Sequence, residues 1–85
     1  MDLEIVRAEI IGPLLVLASD PIPNIRFNVA KSLEVLATTF NTSPEGHEFV
    51  QQQIVPALDQ QKNDQDADVR YFATRALQKA RSTEN

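Results

Sequence analysis

Apolar residues recur along this chain at steps of three and four, in four blocks separated by polar breaks. Leu3, Val6, Ile10, Ile11, Leu14 and Leu17 predict a first helix from about Asp2 to Ser19. Pro13 falls inside it, removing one backbone hydrogen bond and predicting a bend. Ile25, Val29, Leu33 and Leu36, with Ala30 and Ala37 alongside and Phe40 continuing the stripe, predict a second helix from about Asn24 to Thr39. Asn41 to Ser43 interrupts the pattern. Thr42 or Ser43 is a good N-cap, Pro44 suits a first turn, and Glu45 offers a capping box with Thr42.

A third helix is predicted from about Pro44 to Lys62, burying Phe49 or Val50, Ile54, Leu58 and Val55. Pro56 bends it much as Pro13 bends the first, and Gly46 weakens its opening turn by up to ~1 kcal/mol relative to Ala. Val69, Phe72, Ala73, Ala76, Leu77 and Ala80 predict a fourth helix from about Asp66–Asp68 to Arg81. Acids at its start and Arg75, Lys79 and Arg81 toward its end complement the helix dipole. Ser82 to Asn85 reads as a frayed tail. No segment alternates as a strand does, so the predicted class is all-α.

The blocks form one phrase written twice. Asp20 to Leu33 reads DPIPNIRFNVAKSL, and Asp64 to Leu77, 44 positions later, reads DQDADVRYFATRAL. Each has an Asp six residues before an Arg (Asp20/Arg26, Asp64/Arg70), a β-branched residue before that Arg and an aromatic after it. A period of about 40–47 residues is that of two-helix solenoid units. Such units stack, because each leaves an apolar face that its own partner helix does not cover. The expectation is an α-solenoid of two helix-turn-helix units, residues 1–40 and 41–82, with a tail at 83–85. Apolar residues at both ends suggest a piece of a longer solenoid; the alternative is a short chain that dimerises or docks on a partner.

Composition narrows the function. At 85 residues this is one small domain, and with no Cys it has neither disulfides nor a Cys-based zinc site to staple it. Twelve acids against eight Lys and Arg give a net charge of -4, which argues against a general nucleic-acid binder. The longest apolar run, Leu14 to Ala18, is far short of the ~20 residues of a membrane span. Acids stand where a signal peptide carries bases. The expected location is the cytoplasm, with the nucleus also open to it. The Asn41-Thr42-Ser43 triplet is then an idle glycosylation match.

The signature D-P-x-x-x-[VI]-R-x-x-[VA]-A-x-x-L is typical of HEAT repeats, and Asp20 to Leu33 fits it almost fully. The strings NIRFNVAKSL and DQDADVRYFA go further: residues 10–80 resemble the last two repeats of the scaffolding (A) subunits of protein phosphatase 2A. Departures are a longer connection at Ala37 to Gln53, a polar extension at Arg81 to Asn85, and Gln65 where the signature has Pro. The resemblance implies a non-catalytic scaffold without a cofactor. Its turns would hold the phosphatase catalytic subunit, while regulatory subunits sit on earlier repeats outside this chain. The implied contact ridge is Asp20, Pro21, Ile22, Pro23 and Asn24 in one turn and Asp64, Gln65, Asp66, Ala67 and Asp68 in the other, with Arg26 and Arg70 heading the second helices. It further implies Asp–Arg pairs between neighbouring repeats. A HEAT adaptor of a transport or splicing assembly is the alternative in the same class.

Other chemistry is thinner. Asp64, Asp66 and Asp68 open like a calcium loop and so permit a small acidic metal-binding regulatory protein. Yet the loop's turn glycine is Val69 and its closing Glu is Arg75, which favours an acidic helix start. His47, the single histidine, reads as a surface residue near Glu45 and Glu48. No nucleophile stands beside a base, and there is no Gly-rich phosphate loop. Phe27 and Tyr71 are expected to pack on an adjacent repeat, and Ile22, held between two prolines, is the best single contact candidate.

Overall fold

The computed structural model describes residues 2–82, which form four helices and no strand. Helix α1 spans residues 3–17 in three continuous segments, Leu3–Ile5, Val6–Ile10 and Ile11–Leu17. Helix α2 is Pro23–Phe40. Helix α3 spans residues 44–61 as Pro44–Phe49, Val50–Ile54 and Val55–Gln61, and α4 is Ala67–Ser82. Ser82 thus continues α4 rather than fraying; the rest of the expected tail, 83–85, lies outside the described residues.

The bends expected from Pro13 and Pro56 take a definite form. In α1 the Ile11 N–H donates five residues back to the Val6 carbonyl, and in α3 the Val55 N–H does the same to Val50. A proline ring crowds the carbonyl four residues before it, and widening the preceding turn to a π-turn relieves that contact. The two wide turns lie 44 residues apart although the prolines lie 43 apart. The repeat therefore keeps the position of the distortion, not of the residue that provokes it.

Caps set the helix starts. Asp2 accepts from the Glu4 N–H at 2.9 Å, and Ser43 accepts from the Gly46 N–H at 3.0 Å. Ser43, not Thr42, is the cap of α3, so the expected Thr42–Glu45 box is replaced by a single-residue cap. Asp66 caps α4, its Oδ1 accepting from the N–H groups of Asp68 (2.9 Å) and Val69 (3.1 Å).

Helix α2 makes its most extensive contact with α4, and α3 packs on both. Ala30 and Ala37 on α2 and Ala73, Ala76 and Ala80 on α4 are fully buried, and such small side chains permit close helix approach. Phe49, Leu33, Ile54, Leu58, Val6, Val50 and Val69 supply the bulk. Both Phe49 and Val50 are buried, where the apolar pattern required only one of them.

A polar clamp closes the far end of the pairs. Asn41, the C-cap of α2, is buried; its Nδ2 donates to the Ala80 carbonyl of α4 at 2.8 Å, and its Oδ1 faces His47 Nδ1 at 2.6 Å. With Nδ2 committed to Ala80, the bond to His47 requires the proton on Nδ1. His47 is therefore a half-buried link between α2 and α3, a correction to its reading as a surface residue.

Gly46 corrects a second expectation. A Cβ there would lie 1.7 Å from the Phe40 carbonyl oxygen, so glycine is what allows α3 to start against the end of α2. Gly46→Ala, favoured by helix propensity, is expected instead to cost about 1–3 kcal/mol through overpacking. Gly12→Ala, where an added Cβ has open space, should stay within about 1 kcal/mol of the parent. Urea denaturation of the two variants tests the contrast. Asn41→Ala, which leaves the Ala80 carbonyl without that donor, should cost about 1–3 kcal/mol in the same assay.

Candidate functional site: two interlocked turns

The two copies of the repeated phrase fold into the same turn. Asp20 N–H donates to the Leu17 carbonyl and Asp64 N–H to that of Gln61, both at 3.1 Å. The Asp20 carboxylate then accepts from the Ile22 N–H, and the Asp64 carboxylate from the Asp66 N–H, at 2.9 Å each. These are Asx turns, in which a short side chain reverses the chain two residues ahead. Six residues on, each Arg reaches back. Arg26 Nη1 donates to the carbonyls of Asp20 (2.8 Å) and Pro21 (3.0 Å), and Arg70 Nη1 donates to those of Asp64 and Gln65 (2.8 Å each).

The two turns are joined by one ion pair. Arg26 Nε donates to Asp64 Oδ2 at 2.9 Å and Nη2 to Oδ1 at 3.0 Å, a paired fork between units. The side chains are 16% and 14% exposed. This is the Asp–Arg pairing between neighbouring units implied by the family resemblance; Arg70, in contrast, makes no ion pair among the described residues. Hydrogen bonding from Arg26 is the leading reason the Asp64 carboxyl lies below its ordinary value. Partial burial opposes it, while the Asp66 N–H and the charges of Arg26 and Arg70 add to it.

One contributor gave only a faint signal in sequence. Gln61, only 4% exposed, donates from Nε2 to the Arg26 carbonyl at 2.9 Å, tying the end of α3 to the start of α2. The one hint was its position 44 residues after Leu17, a glutamine where the other copy has an apolar residue. Above this seam an open groove of about 680 Å³ runs between the ends of α1 and α3, with Gln52, Gln53, Gln60, Pro56 and Leu15 in its walls.

Of the sequence-derived ridge residues, Pro21, Ile22, Pro23, Asn24, Gln65, Ala67 and Asp68 are exposed at the tips. Asp20, Arg26, Asp64 and Asp66 lie half-buried beneath them, and Arg70 is exposed beside them. Ile22 is 54% exposed between its prolines. Asp64 and Asp66 spend carboxylate oxygens on Arg26 and on turn and cap N–H groups, the role of an acidic helix start. Phe27 packs on Phe72 of the other unit at 5.3 Å between ring centroids, whereas Tyr71 stays exposed against its neighbour Phe72. Lys31 and Arg75 lie over the Phe72 ring, at 4.6 and 5.0 Å, and Glu34 binds Arg75 and Lys79 at 3.1 and 3.5 Å.

Paired helices that stack through such turns define an α-solenoid, and the HEAT-repeat family model matches residues 10–40. The fold is thus an α-solenoid of the HEAT-repeat type. Its relatives are more particular. It is 39% identical over 61 residues to the serine/threonine-protein phosphatase PP2A 65 kDa regulatory subunit of Drosophila melanogaster, covering 72% of this chain and 10% of that protein. Against the regulatory A subunit of protein phosphatase PP2A from Saccharomyces cerevisiae it is 35% identical over 78 residues, 91% of this chain and 12% of the relative. The human A beta isoform of the 65 kDa regulatory subunit of phosphatase 2A is 38% identical over 56 residues, 66% and 8% respectively. The chain therefore spans about a tenth of the length of these relatives.

The lowered Asp64 value has a pH signature. An unfolded Asp titrates near about 3.9, and the folded one lies below that. The stabilisation from this carboxylate is thus complete above about pH 4 and is lost as pH falls through the folded value. Asp64→Asn should be less stable than the parent at neutral pH, with a flatter loss of stability below about pH 4. Denaturation midpoints measured from about pH 7 to about pH 2 test this, and parallel acid limbs would contradict it.

Proposed function

We propose that this chain is part of a scaffold, the last two repeats of a protein phosphatase 2A scaffolding subunit, and that its two turn tips hold the phosphatase catalytic subunit. The units at 1–40 and 41–82 are the penultimate and final repeats, acting by position without catalysis or cofactor, in the cytoplasm, with the nucleus also open to them. Regulatory subunits attach through repeats outside this chain. Similarity to the 65 kDa regulatory subunits supports the class, and the geometry of the first tip supports the site. Ile22 stands exposed between Pro21 and Pro23, while Asp20 and Arg26 fix the backbone beneath it. A stiff apolar tip loses little conformational entropy on docking, which concentrates binding energy there.

Capture of purified phosphatase 2A catalytic subunit on the immobilised chain tests this reading. Ile22→Asp should weaken capture at least ~10-fold, on the order of 1.4 kcal/mol, with helical circular dichroism unchanged. Capture of the catalytic subunit that Ile22→Asp leaves untouched would remove this tip from the contact. A chain that captures none at neutral pH would instead favour a HEAT adaptor of another assembly.

A further inference from the structure

We propose that Arg70 is a preorganised receptor for a carboxylate carried by a partner protein, bound in the geometry in which Arg26 binds Asp64. This deepens the reading of the turns as a partner-binding ridge and rests on it. The observation is a matched pair with one member unfilled. In both copies Nη1 is fixed by two backbone carbonyls at 2.8–3.0 Å, five and six residues back. That leaves the Nε–Nη2 edge of each fork facing away from its own turn. In the first copy this edge takes both oxygens of Asp64. In the second it makes no ion pair among the described residues, and Arg70 is exposed.

A guanidinium so held has already lost most of the rotamer freedom that carboxylate binding would otherwise cost. Asp66, in the same turn, is spent on the N–H groups of Asp68 and Val69. Asp64 is itself occupied by Arg26, so it does not compete for the open edge.

A third stacked unit would be the other source of a carboxylate, and the surface it would cover argues against it. Leu15 and Ala18, packed against the core in the first unit, are replaced 44 residues on by Asp59 and Lys62. Asp59 pairs there with Lys62 at 3.3 Å and with Arg81 at 3.5 Å. Covering that surface with an apolar helix would desolvate a charge cluster. The carboxylate at Arg70 therefore belongs to a separate protein.

The test follows the Arg Nε–H signals in NMR spectra of the whole chain during titration with hexaglutamate. The Arg70 signal should move and saturate while that of Arg26, held on Asp64, stays in place; hexaglutamine should move neither. Arg70→Lys should weaken peptide binding about tenfold, because an ammonium does not reproduce the paired fork. An unshifted Arg26 signal in that variant shows the turns intact. An Arg70 signal that stays still, that moves no more than those of Arg7 and Arg81, or that responds equally to inorganic phosphate overturns the proposal. So does peptide affinity unchanged in Arg70→Lys. In the capture assay Arg70→Lys should also weaken binding of the catalytic subunit, by roughly tenfold. Failure of the parent chain to capture that subunit counts against the phosphatase reading alone, since the peptide titration does not use it.

Discussion

The guanidinium of Arg26 is the point on which this structure turns. One edge closes the turn that starts its own helix, and the other grips the aspartate that starts the turn of the next unit. The backbone carbonyl of the same residue receives Gln61 from the end of α3. The apolar core holds the helices together, but burial is non-directional and tolerates sliding. A planar fork of donors tolerates very little, so Arg26, together with the Asn41–Ala80 and Glu34–Arg75 bonds, fixes the register between the two units. Its value is also asymmetric: removing either partner leaves a half-buried charge without its counterion, a larger effect than the net gain from forming the pair.

The conformation of each turn was legible because its causes are local. Asp at the turn, Arg six residues later and apolar steps of three and four specify contacts within one turn or one helix, where spacing translates directly into geometry. Helix number, order and approximate ends followed from the same periodicity. What escaped depends on distance across the chain. Gly46 looks like a weakness in α3 until Phe40 is placed against it. His47 looks like a surface residue until Asn41 is placed between it and Ala80, 39 residues away from Asn41 in sequence. Gln61 looks like an exposed helix end until Arg26 covers it. Each is a polar or steric demand created by tertiary contact, which local pattern does not encode.

Repetition also conceals a difference between the copies. Positions 44 apart share backbone geometry, down to the wide turns at Val6–Ile10 and Val50–Ile54, yet their environments diverge. Ile5 is 50% exposed, while its counterpart Phe49 is 1% exposed under the other unit. On the opposite side, apolar Leu15 and Ala18 give way to the charged Asp59 and Lys62. The first unit thus carries apolar residues on both sides, the second an ion-pair cluster on its outer one.

This polarity gives the ridge its meaning. In a stack, turn residues serve two masters: they close the chain locally and they bind the neighbouring unit. Where a neighbour is present, as between Arg26 and Asp64, the polar groups are satisfied within the stack and only the apolar tip at Ile22 faces outward. On the outer side of the second unit Asp59 pairs with Lys62 and Arg81, and the turn keeps its shape through the Arg70 bonds to its own backbone. The same six-residue spacing thus yields a structural bolt in one copy and an open fork in the other. On the proposed reading, the apolar tip at Ile22 and the cationic fork at Arg70 would offer complementary chemistry to a single protein surface.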